Sequence, residues 1–406
     1  MSVNSLGATA HAPHQLFAPT HAERVQRARI DFFEQGLRPS GLVSEAVIQS
    51  WMRCLRVSSN QRQKVAFEPV SASRQHAARE RSRGLLELAQ PPLQTLEQAL
   101  SGTGAHVLLT NGDGVMLYAT PAPQGRRMLM HGVARTGVCV AEAQVGTNAP
   151  GVVVATGKAC TVTASEHYFE GLHGLRCAAA PIRNTQGALV GVLDVSVENQ
   201  TFGFDPAAMV GLYATTIENA LLRAQARDQL VLRFQTHPSL LDSPLEGLAG
   251  VAADGTLAWT NEAGARLLGC AAPGPQQMSA LELLATDMRG LLGLAHADAA
   301  RPLRLASGLG LWVQVRLREG VPQLQAWELP AAQPPAAAVQ PVAREQEQEP
   351  QPAATLRAHS RQLIQQTLAE QGGNVQRTAR LLGISRGTLY RRLREPQSPA
   401  DSSSAV

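Results

Sequence analysis

The sequence predicts a multidomain α+β protein: a helical N-terminal segment, an α/β domain, a smaller α+β domain and an all-α C-terminal end. Three observations predict it. Apolar residues recur at spacings of three and four near both ends, which is the helical period. Between them, apolar runs flank an Asn-Gly-Asp-Gly turn at 111–114, a strong hairpin signal. Finally, residues 331–354 are rich in Pro, Ala, Gln and Glu without a periodic apolar face, the composition of a linker.

Composition narrows the function classes. The 406 residues leave room for roughly two to four domains, and 44% hydrophobic with 17% charged residues excludes a disordered tail or a fibre. No run approaches the ~20 continuous apolar residues of a membrane span. The N-terminus lacks the basic-then-apolar order of a secretory signal, so a cytoplasmic location is expected. Five cysteines, at 54, 139, 160, 177 and 270, are odd in number and form no CxxC, which argues against a disulfide framework or a zinc knot. Charge is concentrated at one end. Residues 355–395 hold eight arginines against Glu370 and Glu395, a net +6, whereas the whole chain is +4. A near-neutral body with a basic end suits docking on a polyanion, with a solvated basic helix as the simpler reading.

The elements follow in order. Residues 1–20 are expected to be disordered. Over 21–98, Val43, Val47, Ile48 and Trp51 mark one helix, and a second is expected from Ser73 through Leu88, broken by Pro91-Pro92 before a short third. Residues 99–235 form the α/β domain. HVLLT and VMLYA make one hairpin; CAAAPI and ALVGVLDVSV make another around RNTQG; VGTNAPGVVVATGKACTVTA between them reads as a short helix leading into a strand. A closing helix is expected from Asp205 to about Phe234. Its residues Val210, Tyr213, Ile217, Ala220, Ala224, Val231 and Phe234, with Arg227 as the one misfit, suit either a parallel coiled-coil contact or packing onto the domain's own sheet. Residues 246–330 read as strand, Asp-Gly turn, strand, helix, then the strands LWVQVRL and PQLQAWEL. The tail 396–406 is expected to be disordered.

The C-terminal block carries the clearest chemistry. Leu356, Leu363, Ile364, Thr367 and Leu368 line one face of a helix that ends at Gly372-Gly373. Asn374 caps VQRTARLL, Gly383 supplies a turn, and Ser385 caps RGTLYRRLR. Ala379, Gly383 and Leu389 supply the small contact residue, the turn and the apolar lock of a helix-turn-helix. The third helix then presents Ser385, Arg386, Thr388, Tyr390 and Arg391 for a major groove, where arginine pairs two ways with guanine. Asn374, Arg377 and Arg392 complete the expected DNA-binding set.

GGNVQRTARLLGISRGTLYRRLRE resembles the Fis-type helix-turn-helix that closes bacterial enhancer-binding proteins. The resemblance covers about forty residues and implies a dimer contact through Leu363, Ile364 and Leu368. Farther upstream, IQSWMRC, VGTNAPG and SEHYFEGLHGLRCAAAPIRNTQGALVGVLDVS, in that order, resemble the GAF sensor region of the acetoin-catabolism regulator family. In that family 246–330 would be a PAS-like segment, and an AAA+ ATPase acting on sigma-54 polymerase would precede the Fis-type end. Here only about 120 residues separate the closing helix from the helix-turn-helix, without a GxxxxGK[ST] loop or a GAFTGA loop. The nearest imitation, Gly151 to Lys158, has five residues between its glycines and Ala159 after the lysine, so it lacks the phosphate cradle and the magnesium hydroxyl.

The sensor candidates are His131, Cys139, Asn148, His167, His173 and Cys177. His167, His173 and Cys177 invite a metal reading, but no further ligand is fixed by spacing; no metal and no cofactor is expected. Cys139, Cys160 and Cys177 also raise a GAF-type thiol reductase, which would need Arg176 or His173 to stabilise a thiolate. The favoured expectation is a non-enzymatic, homodimeric transcription regulator. It would bind double-stranded DNA, respond to a small-molecule effector, and act beside a full-length enhancer-binding relative or RNA polymerase. A nucleoid-type architectural DNA binder is the alternative.

Overall fold

The computed structural model describes residues 19–121, 128–270, 278–297 and 299–318, together with Val375. The N-terminal segment is helical: α1 (His21–Arg29), continued by a π-type turn, then α2 (Glu45–Val57), α3 (Ala72–Arg81) and α4 (Arg83–Ala99). Helix α1 starts on a capping box in which Thr20 and Glu23 exchange bonds. Pro91 and Pro92 were expected to break a helix, yet both lie inside α4. Leu85 and Ala89 before them and Leu93 and Leu96 after them are buried in one cluster. Their combined burial, ~1.5–3 kcal/mol for each leucine, outweighs the hydrogen bonds that the prolines remove. Thr95 Oγ1 also donates to the Pro91 carbonyl. The expected Ser73–Leu88 helix is instead divided at Ser82.

The first sheet holds β1 (His106–Asn111), β2 (Met116–Ala119), β3 (Cys160–Thr163), β4 (Leu175–Arg183) and β5 (Leu189–Glu198) in the order β2-β1-β5-β4-β3. All four pairings are antiparallel. The Asn-Gly-Asp-Gly turn works through Asn111, whose Oδ1 accepts from the Asp113 and Val115 amides. Between β2 and β3 run α5 (Met128–Val133), α6 (Glu142–Val145) and α7 (Ala149–Thr156), and α8 (Pro206–Gln225) follows β5.

Both faces of this sheet are buried, which explains the nearly continuous apolar strands. Val107, Leu109, Ala178, Ala180, Leu193 and Val195 point toward α4 and α8, whereas Leu108, Cys177, Ala179 and Val192 point toward α2 and α7. By strand alternation, Asp194 and Ser196 share the second face. Val210, Ala214, Ile217 and Leu221 of α8 pack into the α4-side core, so this face of the helix packs onto its own sheet.

The helix expected to run to Phe234 ends at Gln225. Residues Gln229–Gln235 form β6, a central strand of a second antiparallel sheet. Asp228, at φ +54, turns the chain, and Leu230, Val231, Leu232 and Phe234 are buried in the second sheet's cores. Burial of Leu230, Val231, Leu232 and Phe234 against the second sheet's cores won over a helical seam. The same sheet includes β7 (Gly247–Val251), β8 (Leu257–Thr260), β9 (Arg301–Arg304) and β10 (Gly310–Arg318), in the order β8-β7-β6-β10-β9. Helices α9 (Glu262–Leu268), α10 (Ala280–Leu283) and α11 (Met288–Ala295) lie between β8 and β9 in sequence. Strand β10 realises LWVQVRL; the strand expected at PQLQAWEL and the disorder expected over 396–406 lie outside the described residues, as does that expected over 1–20 except at Pro19 and Thr20, where Thr20 instead caps α1.

Candidate functional site

The three motifs of the N-terminal half meet around one corner. In IQSWMRC, Trp51 Nε1 donates to the Glu166 carbonyl at 2.7 Å and Ser50 Oγ to Thr147 Oγ1 at 2.7 Å. Arg53 makes a two-pronged pair with Glu142 at 2.6 and 2.8 Å. Arg29 ties the same corner from α1, donating to the Ser165 and His167 carbonyls while its guanidinium lies over the Phe33 ring.

VGTNAPG supplies the turn. Asn148 caps α7, its Oδ1 accepting from the Gly151 amide and its Nδ2 donating to the Val140 and Gly146 carbonyls, each at 2.8 Å. Gly146 sits at φ +71, where a Cβ would come within 2.7 Å of the Phe169 ring. The motif is therefore explained by backbone geometry.

Behind this corner lies a small cavity that offers about 20 Å³ to the centre of a water-sized sphere. Its apolar walls include Leu108, Met130, Val133, Val145, Leu172 and Leu175, and its polar groups are Asn148, Cys177, Asp194 and Ser196. Asp194 is fully buried in the middle of β5. Ser196 Oγ donates to its Oδ2 at 2.6 Å, but Oδ1 finds no hydrogen-bond partner among the described residues. Burial, set against that single serine bond, pushes the carboxyl up to about 7.

The sequence-derived sensor candidates divide into two groups. Cys177 and Asn148 line the cavity. His167 stands behind Cys177, with Nε2 3.6 Å from the sulfur and Nδ1 2.9 Å from the Ala164 carbonyl. That carbonyl can only accept, so Nδ1 carries the ring proton and the unprotonated Nε2 can only accept from the thiol. Burial lowers His167 to about 4 and raises Cys177. His173 is half-buried, lowered chiefly by burial, and its Nε2 is buried without a partner among the described residues. His131 is exposed, and Cys139 makes only a long sulfur contact, 3.9 Å, to the Asp113 carbonyl; neither lines the cavity. Asp194 and Ser196 were missed. Their signal is an acid and a hydroxyl at i and i+2 inside the apolar run VGVLDVSV. Among the described residues no group of three or more His, Cys, Asp or Glu side chains could hold a metal. No helix there is long and apolar enough to cross a membrane.

The DNA-binding set Asn374, Arg377, Ser385, Arg386, Thr388, Tyr390, Arg391 and Arg392, and the dimer candidates Leu363, Ile364 and Leu368, lie outside the described residues.

Comparison with known proteins decides the relationship. Residues 18–213 match the family model "MimR, N-terminal domain", and residues 355–395 match "Bacterial regulatory protein, Fis family". The chain is 32% identical to the acetoin catabolism regulatory protein of Cupriavidus necator, over 55% of this chain and 34% of that one. The chain is a homologue of the acetoin-catabolism and MimR regulators. It is also 31% identical to the propane 2-monooxygenase operon transcriptional activator MimR of Mycolicibacterium smegmatis, over 44% of this chain and 29% of that one. The chain spans about a third of the length of these curated relatives. Among solved structures, the Escherichia coli DhaR(N)–DhaL complex aligns with a TM-score of 0.42 at 16% identity, covering 67% of this chain and 99% of that chain. By name these relatives regulate transcription, and the Fis-family match over 355–395 supports a DNA-binding end in this chain.

Proposed function

We propose that this chain is a cytoplasmic, homodimeric transcription regulator that couples a signal at a GAF-type domain to occupancy of promoter or enhancer DNA, without hydrolysing ATP. One observation carries the reading. A MimR-type N-terminal region and a Fis-type helix-turn-helix share a chain whose intervening sequence has no GxxxxGK[ST] loop. The five-stranded antiparallel sheet between two helical layers supports the GAF assignment, and the second sheet, with short helices between β8 and β9, supports a PAS-like one. Two recognition helices on one dimer call for an inverted repeat. Control then acts through occupancy: repression, competition with a full-length relative at its enhancer, or contact with polymerase.

The thiol-reductase alternative loses ground in the sensor domain. Burial pushes the Cys160 thiol up to about 12 and raises Cys177 as well, opposite to what a reactive thiolate needs. The architectural alternative is separated by experiment. Genomic fragments retained by the purified protein are sequenced beside those retained by Arg386→Ala. The proposal expects enrichment of an inverted repeat that the variant loses; diffuse retention by both proteins would favour the architectural binder, and no retention at moderate salt would refute DNA binding.

A further inference from the structure

A cleft of about 550 Å³ runs between the domains of the two sheets, within the ~300–1,000 Å³ of small-molecule sites. Helix α8 and the end of β4 line one side, and α9 with the loop after β6 lines the other. Leu212, Leu240, Leu245 and Leu267 make its walls apolar, and Leu212 and Leu245 are left 44% and 56% exposed. Among these residues lies Glu218, only 7% exposed. Its Oε2 accepts from the Arg183 amide at 2.7 Å, where the β4–β5 register shifts. Oε1 has no hydrogen bond among the described residues, although a carboxylate offers about four acceptor sites. The arginines of the cleft are engaged elsewhere: the Arg183 guanidinium donates to the Gly157 carbonyl, and Arg266 pairs with Glu262 at 3.6 Å. Burial therefore raises the Glu218 carboxyl to about 7, against the Arg183 amide and charge, and Glu262 adds to the rise. A buried acid with one bond, ringed by hydrocarbon, is short of a positive donor.

We propose that this cleft binds a primary amine carried on an apolar body, with Glu218 receiving the ammonium and the four leucines covering the hydrocarbon. The site is separate from the cavity at Asp194 and goes beyond the regulator reading above. An ammonium brings both what Glu218 lacks, a hydrogen bond to Oε1 and a compensating charge, and a charge-assisted bond is about twice as strong as a neutral one. The Thr215 hydroxyl lines the same cleft and offers a further acceptor. A body that covers Leu212 and Leu245 removes apolar surface from water, at ~25 cal/mol per Å². Other heads fare worse. A carboxylate would meet two acids, Glu218 and Glu262, beside arginines that already hold partners. A hydroxyl would supply the bond without the charge.

The test uses three probes that share one body and differ in the head: 2-phenylethylamine, 2-phenylethanol and phenylacetate. Calorimetric titrations are run on the full chain near neutral pH, on wild type, Glu218→Gln and Gly211→Leu. Glutamine keeps an oxygen for the Arg183 amide and removes the charge. Gly211 lines the cleft on α8, and a Cβ there would meet nothing within 4 Å, so leucine fills the space while favouring the helix. The proposal expects wild type to bind the amine at least tenfold more tightly than the alcohol or the acid, and each variant to lose at least tenfold of that affinity. Melting curves verify that the variants fold; should Glu218→Gln fail to, the ranking of the three heads and Gly211→Leu still decide. Amine binding that survives Glu218→Gln would overturn the charge pairing, and binding that survives Gly211→Leu would overturn the cleft as the site. Tighter binding of the alcohol or of phenylacetate would overturn the ligand class. Failure of the amine to bind wild type would overturn the proposal, and a changed oligomeric state in Gly211→Leu would then mark the cleft as an interface between copies.

Discussion

Single side chains in the domain of the first sheet carry consequences that can be measured directly. Asp194 is raised to about 7 by burial, with Cys177 near it on β4; Glu218, on α8, is raised to about 7 by burial, against the Arg183 amide and charge, and the Glu262 carboxylate of α9 adds to the rise. In each case the folded state holds its proton to a higher pH than the unfolded chain does. Their contribution to stability is therefore complete below about pH 4 and is lost as pH rises toward 7. Urea denaturation across that range is expected to show falling stability, and Asp194→Asn to flatten the part that belongs to Asp194. An unchanged slope in the variant would contradict the assignment. Gly146→Ala, with φ +71 and no room for a Cβ beside Phe169, is expected to destabilise by more than about 1 kcal/mol, read from the denaturation midpoint.

At the scale of elements, α8 deserves its place at the centre because it joins the two sheets. One face fills the first core, and its C-terminal turns reach the second sheet. Asn219 Oδ1 accepts from Asn261 at 2.9 Å, and Arg223 pairs with Glu246 at 2.8 Å. Glu246 is almost wholly buried and also receives Arg233 at 2.7 Å, so Glu246→Ala would leave Arg223 without this carboxylate and Arg233 with only the exposed Asp242. A loss of about 3–5 kcal/mol is expected in chemical denaturation, whereas Arg62→Ala, which cuts an exposed pair with Glu170, is expected to leave the midpoint in place. These elements also mark where sequence reading succeeded. Both hairpins around Asn-Gly-Asp-Gly and Arg-Asn-Thr-Gln-Gly, and the Asn148-capped helix, follow from local turn and capping chemistry. The end of α8 and the prolines of α4 do not, because burial against distant strands decided them. Asp194 was overlooked for a related reason. The acid and hydroxyl in VGVLDVSV gain their meaning only once both faces of that strand prove to be buried.

At the scale of the whole molecule, a body of small net charge with a MimR-type N-terminal region is joined to a basic Fis-type end. The Fis-family match over 355–395 agrees with the helix-turn-helix expected there from residue types and spacing. The cavity at Asp194 was not legible, because its walls come from residues far apart in sequence. The central claim is site-specific DNA binding by this chain, and it is tested most directly by comparing an enriched inverted repeat with a scrambled duplex of equal length across a salt series. The account predicts that the repeat is bound at least ~10³-fold more tightly at physiological salt and that this preference collapses in Arg386→Ala. Equal affinities for the two duplexes, both falling steeply with salt, would contradict it.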